Sequence, residues 1–303
     1  HIFVTVLVTL VDRQQASLAS GQVPVVCGDI AGPSSIRAGV GDVALTSGAQ
    51  STGSAVAVQW GPLADPRISA PATTWKVQCS FADCDGDGDS DSDSDCLETV
   101  VDVVKDTREG LVVSQLDGSG MGVVELSSSS SLPDGAVCHT WVTFYNLAGQ
   151  NATFAAEQAV TVDTQPPVVA NDGLTWDTTD DVVIDATDPA SGTAFFAAAS
   201  ASPQINATVG PMHDATTSIA RVDCTLVHTL SGEAVHETSV NVRDERQWVD
   251  VAVVVPAHIT AEAFVLECNV FDAADNVVTV NSPLSYQRTE PTGIKGAVTV
   301  NSP

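Results

Sequence analysis

The sequence predicts an all-β fold of tandem antiparallel β-sandwiches, each with an intradomain disulfide. Three observations predict it. Apolar residues recur at period two, the chain repeats itself at an offset of roughly 145 residues, and one cysteine pair occupies the same place in each copy.

The alternation is clearest at Val77, Cys79 and Phe81, at Val222, Cys224 and Leu226, and at Phe264, Leu266, Cys268 and Val270. Residues of one parity share one face of a strand, so these are half-buried strands. Residues 100–104, 111–116, 141–145 and 248–255 are further candidates, separated by clusters of Gly, Pro, Ser, Asn and Asp that turn the chain. No segment carries an apolar helical stripe with caps, so no helix is expected.

The repeat rests on matches that keep their order. Pro24-Val25-Val26 with Asp29 matches Pro167-Val168-Val169 with Asp172, and Asp42-Val43-Ala44-Leu45 matches Asp181-Val182-Val183-Ile184. Gly61-Pro62-Leu63-Ala64-Asp65 then matches Gly210-Pro211-Met212-His213-Asp214, and the strands around Cys79 and Cys138 match those around Cys224 and Cys268. These matches divide the 303 residues into a lead segment, 1–23, a first domain, 24–167, a second domain, 168–291, and residues 292–303 as a linker or the start of another unit. The lead reads as the terminal strand of a preceding unit. A signal-peptide remnant fits less well, because Asp12, Arg13 and two glutamines separate its apolar run from the small residues that follow. The matched cysteines are 59 residues apart in the first copy and 44 in the second, and the excess is close to the length of the segment from Cys84 to Cys96. That segment, within 83–98, is therefore read as a loop inserted in the first domain only.

Seven cysteines without CxxC spacing point to disulfides rather than zinc, and so to an oxidising compartment. The repeat pairs Cys79 with Cys138 and Cys224 with Cys268, each expected to bridge its sandwich across the core, and proximity pairs Cys84 with Cys96. Cys27 is left over, matched by Ala170 in the second copy. It is a candidate intermolecular cysteine, with a partner elsewhere in a longer chain or a buried free thiol as the alternatives. Asn151-Ala152-Thr153 and Asn206-Ala207-Thr208 are N-glycosylation sequons, so N-linked glycans are expected on Asn151 and Asn206.

The stretch from Asn146 to Asn151, followed by Val160-Thr161-Val162-Asp163-Thr164-Gln165-Pro166-Pro167, resembles the D-x-A-G-N turn, last strand and V-D-x-x-P-P junction of Ig-like repeats in large cell-surface proteins. That group includes the bacterial Ig-like and hyalin-type repeats. Asp272-Ala273-Ala274-Asp275-Asn276 resembles the same turn in the second copy. The resemblance implies Ig-like sandwiches and an extracellular setting, and it carries no catalytic residue. The tryptophan expected soon after the first cysteine of an antibody domain is missing, since Trp248 lies 24 residues beyond Cys224.

In the inserted loop Asp83, Asp85, Asp87, Asp89, Asp91, Asp93 and Asp95 alternate with small residues and with Cys84. Hard oxygen ligands at alternate positions, with glycine allowing sharp turns, suit Ca²⁺. An EF-hand is satisfied in no register. Asp83, Asp85, Asp87, Gly88, Asp91 and Cys96 instead resemble a thrombospondin type 3 calcium repeat, with Ser94 at an acidic position. A solvated acidic loop is the alternative. Asp163, Asn171 and Asp172 at the junction, with Asp272 or Asp275, offer further oxygens, although such residues more often cap their own turns.

With 11 Lys+Arg against 38 Asp+Glu the net charge is -27, which phosphate backbones and anionic headgroups repel. No nucleic-acid partner and no direct membrane insertion are expected. The six histidines form no metal-binding motif, and no nucleophile elbow, phosphate loop or dinucleotide fingerprint is present, so no enzyme is expected. The expected function is a structural subunit of an extracellular fibre or hair-like surface appendage, such as the hair of a flagellum, assembling with itself or neighbouring subunits. A calcium-dependent adhesion module and the accessory domains of a secreted enzyme are the alternatives.

Overall fold

A computed structural model of the chain describes residues 5–9, 15–19, 30–64, 73–83, 97–114, 116–146, 150–170, 173–177, 182–184, 194–198, 204–242, 247–256, 258–259 and 261–288. The chain divides into two compact units, His1–Thr164 and Gln165–Pro303.

In the first unit β1 (Thr5–Thr9) and β2 (Gln15–Ala19) pair with each other as an antiparallel hairpin. There follow β3 (Ile36–Ala38), α1 (Gly41–Ser47), β4 (Ala49–Gln50), β5 (Ala55–Trp60), β6 (Thr74–Asp83) and β7 (Leu97–Thr107). The unit continues with β8 (Leu111–Val113), β9 (Gly120–Glu125), β10 (Val137–Tyr145), β11 (Asn151–Ala155) and β12 (Val160–Val162). One sheet has the order β3-β5-β9-β8. The other has the order β4-β12-β10-β6-β7, with β11 also pairing with β10. Their inner faces supply one core: Ile36, Val56, Val58 and Trp60 from the first sheet meet Trp75, Val77, Val142, Phe144 and Val162 from the second. The alternation on β5, where Val56, Val58 and Trp60 are buried, is what a strand solvated on one side requires.

The second unit consists of β13 (Val168–Val169), β14 (Leu174–Trp176), β15 (Val182–Ile184), β16 (Ala194–Ala198), β17 (Gln204–Val209) and β18 (Met212–His213). It ends with β19 (Ile219–His228), β20 (Ala234–Asn241), β21 (Val249–Val254), β22 (Ala261–Asp272) and β23 (Val277–Arg288). β14-β17-β21 faces β15-β16-β23-β22-β19-β20 across a core that includes Trp176, Ile205, Val251, Leu226, Phe264 and Leu266. The order β16-β23-β22-β19-β20 reproduces β4-β12-β10-β6-β7, down to the parallel pairing of β16 with β23 and of β4 with β12. The two units are copies at the level of topology.

Three expectations need correction. The bridges do not cross the core. Cys79 and Cys138 are directly opposite on the neighbouring strands β6 and β10, and Cys224 and Cys268 on β19 and β22, each pair with Cα atoms 4.1 Å apart. That spacing belongs to a close cross-strand pair within one sheet. A helix also exists, at Gly41–Ser47. Its C-terminus is closed by Gly48 at φ 74°, whose N–H donates to the Ala44 carbonyl, and Asp42 sits in its first turn. Among the described side chains of this short helix Ala44 is buried and Leu45 half-buried. The match of Asp42–Leu45 to 181–184 thus equates a helix with the strand β15. Finally, the 111–116 strand stops at Val113, where Ser114 and Ser119 close a turn through Gly118 at φ 71° and leave Leu116 exposed.

The inserted segment is the connection between β6 and β7, whose last described pair is Asp83 with Leu97. The equivalent β19–β20 connection is residues 229–233. Among the described residues no helix is long and apolar enough to cross a membrane.

Candidate functional site

The site residues expected from the sequence fall into three groups. Cys79, Cys138, Cys224 and Cys268 form the two in-sheet bridges. Asn151 opens β11 and Asn206 lies on the outer face of β17, and both are exposed. Asp83 ends β6, while Asp85, Asp87, Asp89, Asp91, Asp93 and Asp95, together with Cys84, Cys96 and Cys27, lie outside the described residues.

The acidic residues that the structure does bring together belong to the turn after β22. Asp272 is buried, and its carboxylate accepts from the Ala274 amide at 2.8 Å, the Asn276 amide at 2.9 Å and the Asn276 side-chain amide at 2.9 Å. The first unit builds the same turn with a neutral residue: Asn146 accepts from the Gln150 amide at 2.9 Å, and its side-chain amide donates to Gln150 Oε1 at 2.8 Å. The D-x-A-G-N pattern is therefore an Asx-type cap holding the turn between the last long strands. Asp275, at φ 68°, stands where the first unit has Gly149 in sequence, a backbone conformation that Asp tolerates better than most side chains. Its carboxylate pairs with Arg221 at 3.0 Å; Arg221 also pairs with Asp223 at 3.0 Å and lies 3.8 Å from the centroid of the Phe271 ring.

Asp214 ends the Gly210–Asp214 match of the repeat, and no motif marks it as a site residue. Its carboxylate caps the Thr216 and Thr217 amides at 2.9 and 2.7 Å and lies within 4.8 Å of that of Asp272. The Asp-x-Thr-Thr sequence was the available signal for that cap. At the junction, Asp163 is buried, its amide donates to the Gln50 carbonyl, and Asn171 and Asp172 lie outside the described residues.

Burial is the main cause that raises the Asp272 carboxyl above the ordinary range, and the nearby Asp214 charge adds to it. The Asn276 and Ala274 hydrogen bonds pull the other way. An acid whose folded pKa lies above its unfolded value costs stability once ionised. That cost is absent below the unfolded value of about 4 and complete above the folded one. Asp272 therefore makes the second unit gain stability as pH falls through the folded pKa toward about 4. Asp272→Asn keeps a capping oxygen, as Asn146 does, and should lose that gain. Urea midpoints of the two chains between pH 7 and 4 check this, and equal pH slopes would count against it.

No family model matches the chain, and no curated protein does. Solved structures do resemble it. The FN1–FN3 domains of chicken CNTN1 align at TM-score 0.39 and 10% identity over 88% of this chain and 67% of that one. A 1.5-MDa bacterial ice-binding adhesin aligns at TM-score 0.28 and 17% identity over 95% and 74%. A tetra-tandem repeat in the extending region of a large adhesion protein aligns at TM-score 0.27 and 14% identity over 95% of this chain, which spans 56% of that one. The chain is a tandem of antiparallel β-sandwiches, each with an intradomain disulfide.

Proposed function

We propose that this chain is a structural subunit of an extracellular fibre or hair-like surface appendage, of the kind that forms the hair of a flagellum. One observation carries the reading: two consecutive sandwiches share one strand order and one covalent staple, placed between the same two strands in each. Repeated units of this kind give an array length without new design at each step, and in-sheet bridges limit how far a unit opens under tension. Cys27 joining neighbouring subunits and glycans on Asn151 and Asn206 fit the same setting. Electron microscopy of the concentrated chain tests the proposal. Ordered filaments formed without any added ligand support it, and a chain that stays dispersed while binding one glycan or protein on an array removes it.

Calcium-dependent adhesion is the second reading, favoured by where the Asp83–Asp95 segment falls, on a connection between two long strands where binding residues commonly sit. In this reading alternate carboxylates of Asp83, Asp85, Asp87, Asp89, Asp91, Asp93 and Asp95 supply the oxygens of a Ca²⁺ shell. A millimolar calcium titration should then raise the melting temperature of the first unit by several degrees and slow proteolysis within 84–96. Asp87→Asn together with Asp91→Asn should abolish both effects. Calcium that leaves melting and proteolysis unchanged would exclude the loop as a metal site.

A further inference from the structure

We infer that the open edge of the first unit is a docking groove for residues 291–303 of a second copy of this chain, an inference that rests on the filament reading. β7 is the terminal strand of its sheet, and among the described residues nothing pairs with its outer side. Beside it lies a cleft of about 570 Å³ with Phe81, Val101, Val103, Leu126 and Leu132 among its lining residues, rimmed by serine hydroxyls from the stretch that ends at Ser131. Val101 is 41% exposed although it stands opposite the buried Cys79, on the inner side of the sheet. In the second unit the counterpart of Phe81, Leu226, is fully buried. The first unit thus combines an unused hydrogen-bonding edge with an uncovered apolar floor, the two features by which an extended segment adds to a sheet.

Sequence and charge select the occupant. In an extended segment Ile294, Val298 and Val300 share one face, while Lys295, Ala297 and Thr299 share the other. The first face suits the apolar floor, and the second places Lys295 toward the carboxylates of the edge strand, Glu98, Asp102 and Asp106. Two copies of a chain with net charge -27 repel each other, and residues 291–303 carry one lysine and no acid. They are a part of the chain that a second copy can bring to an acidic edge without that penalty. β23 ends at Arg288, and the thirteen residues reach up to about 45 Å when extended, enough to lie along β7 of another molecule. Such a contact is heterologous, so its repetition builds an open filament wherever the rotation between copies does not close a ring.

The probe is a fluorescent peptide of residues 291–303, titrated onto the full chain and followed by anisotropy. It should bind saturably, with at least tenfold weaker binding for the Val298→Pro peptide, which keeps the charge and loses the strand. The same loss is expected for the native peptide on a Val101→Lys chain whose circular dichroism is unchanged. Amides of β7 should gain protection from hydrogen exchange as chain concentration rises. Equal binding of the proline peptide, or undiminished binding to the Val101→Lys chain, would overturn the inference. So would β7 protection independent of concentration, which assigns the segment to its own chain. Filaments formed by the Val101→Lys chain would likewise remove this groove while leaving the fibre reading in place.

Discussion

Replacing Cys79 and Cys138 together by serine is expected to remove about 4 kcal/mol from the stability of the first unit, and the Cys224 and Cys268 pair should be worth nearly as much to the second. The estimate follows from the loops the bridges close, 59 and 44 residues long, through the entropy they remove from the unfolded chain. Against a usual domain stability of about 5–15 kcal/mol, that is a large share. Each cysteine sits in the inner half of its unit, buried between flanking strands, so the serine pair also leaves polar atoms in the core. Guanidinium unfolding of the oxidised, reduced and serine-substituted chains measures the loss, and a shift under about 1 kcal/mol would contradict the loop argument. Single-molecule pulling gives a second readout. A bridge between neighbouring strands hides the chain it encloses, so reduction should add about 200 Å of contour to the first unit and about 150 Å to the second.

These bridges show what the sequence could reveal and what it could not. The pairing followed from the repeat, because two cysteines in matched strands have matched partners. Their placement across one sheet did not, since period-two alternation assigns a residue to a face without assigning its strand to a neighbour. Val77, Cys79 and Phe81 read as one inward face whether β10 lies beside β6 or opposite it. α1 was hidden for a related reason: a seven-residue helix makes only about two turns, too few for a 3.6-residue pattern to show, and its glycine terminators look like ordinary turns. The turn at Asp272 was legible as a family-like pattern, but its burial was not, because a turn motif fixes local hydrogen bonds and does not say what tertiary packing lays over it. The cleft beside β7 had no local signal at all. It arises because Phe81 and Val101 face inward at an edge that no strand among the described residues covers, and edge position is a property of the whole sheet.

The largest single-residue effect is expected at Trp75. Its indole is fully buried, its Nε1 donates to the Glu109 carbonyl at 2.9 Å, and its ring passes over the Cα of Gly122 on β9 in the facing sheet. A Cβ built on Gly122 would come within 2.8 Å of Leu111 Cδ2, the movable end of its side chain, and 3.0 Å of the rigid indole, so a methyl there crowds the tryptophan that fills the space from the other side. Trp75→Ala should cost about 4 kcal/mol, from the lost burial and the cavity it leaves. Trp75→Phe should cost less, keeping most of the apolar area while leaving the Glu109 carbonyl without its indole donor. Gly122→Ala alone should cost about 1–3 kcal/mol through overpacking. The two changes should not add. Once the indole is gone, the alanine methyl enters the vacated space and gains the strand preference that glycine lacks, so the double variant should be more stable than the sum of the singles by about 1 kcal/mol or more. Additive losses in a denaturant-midpoint cycle would mean that Trp75 and Gly122 do not share that space. They would break the packing argument that joins the two sheets of the first unit.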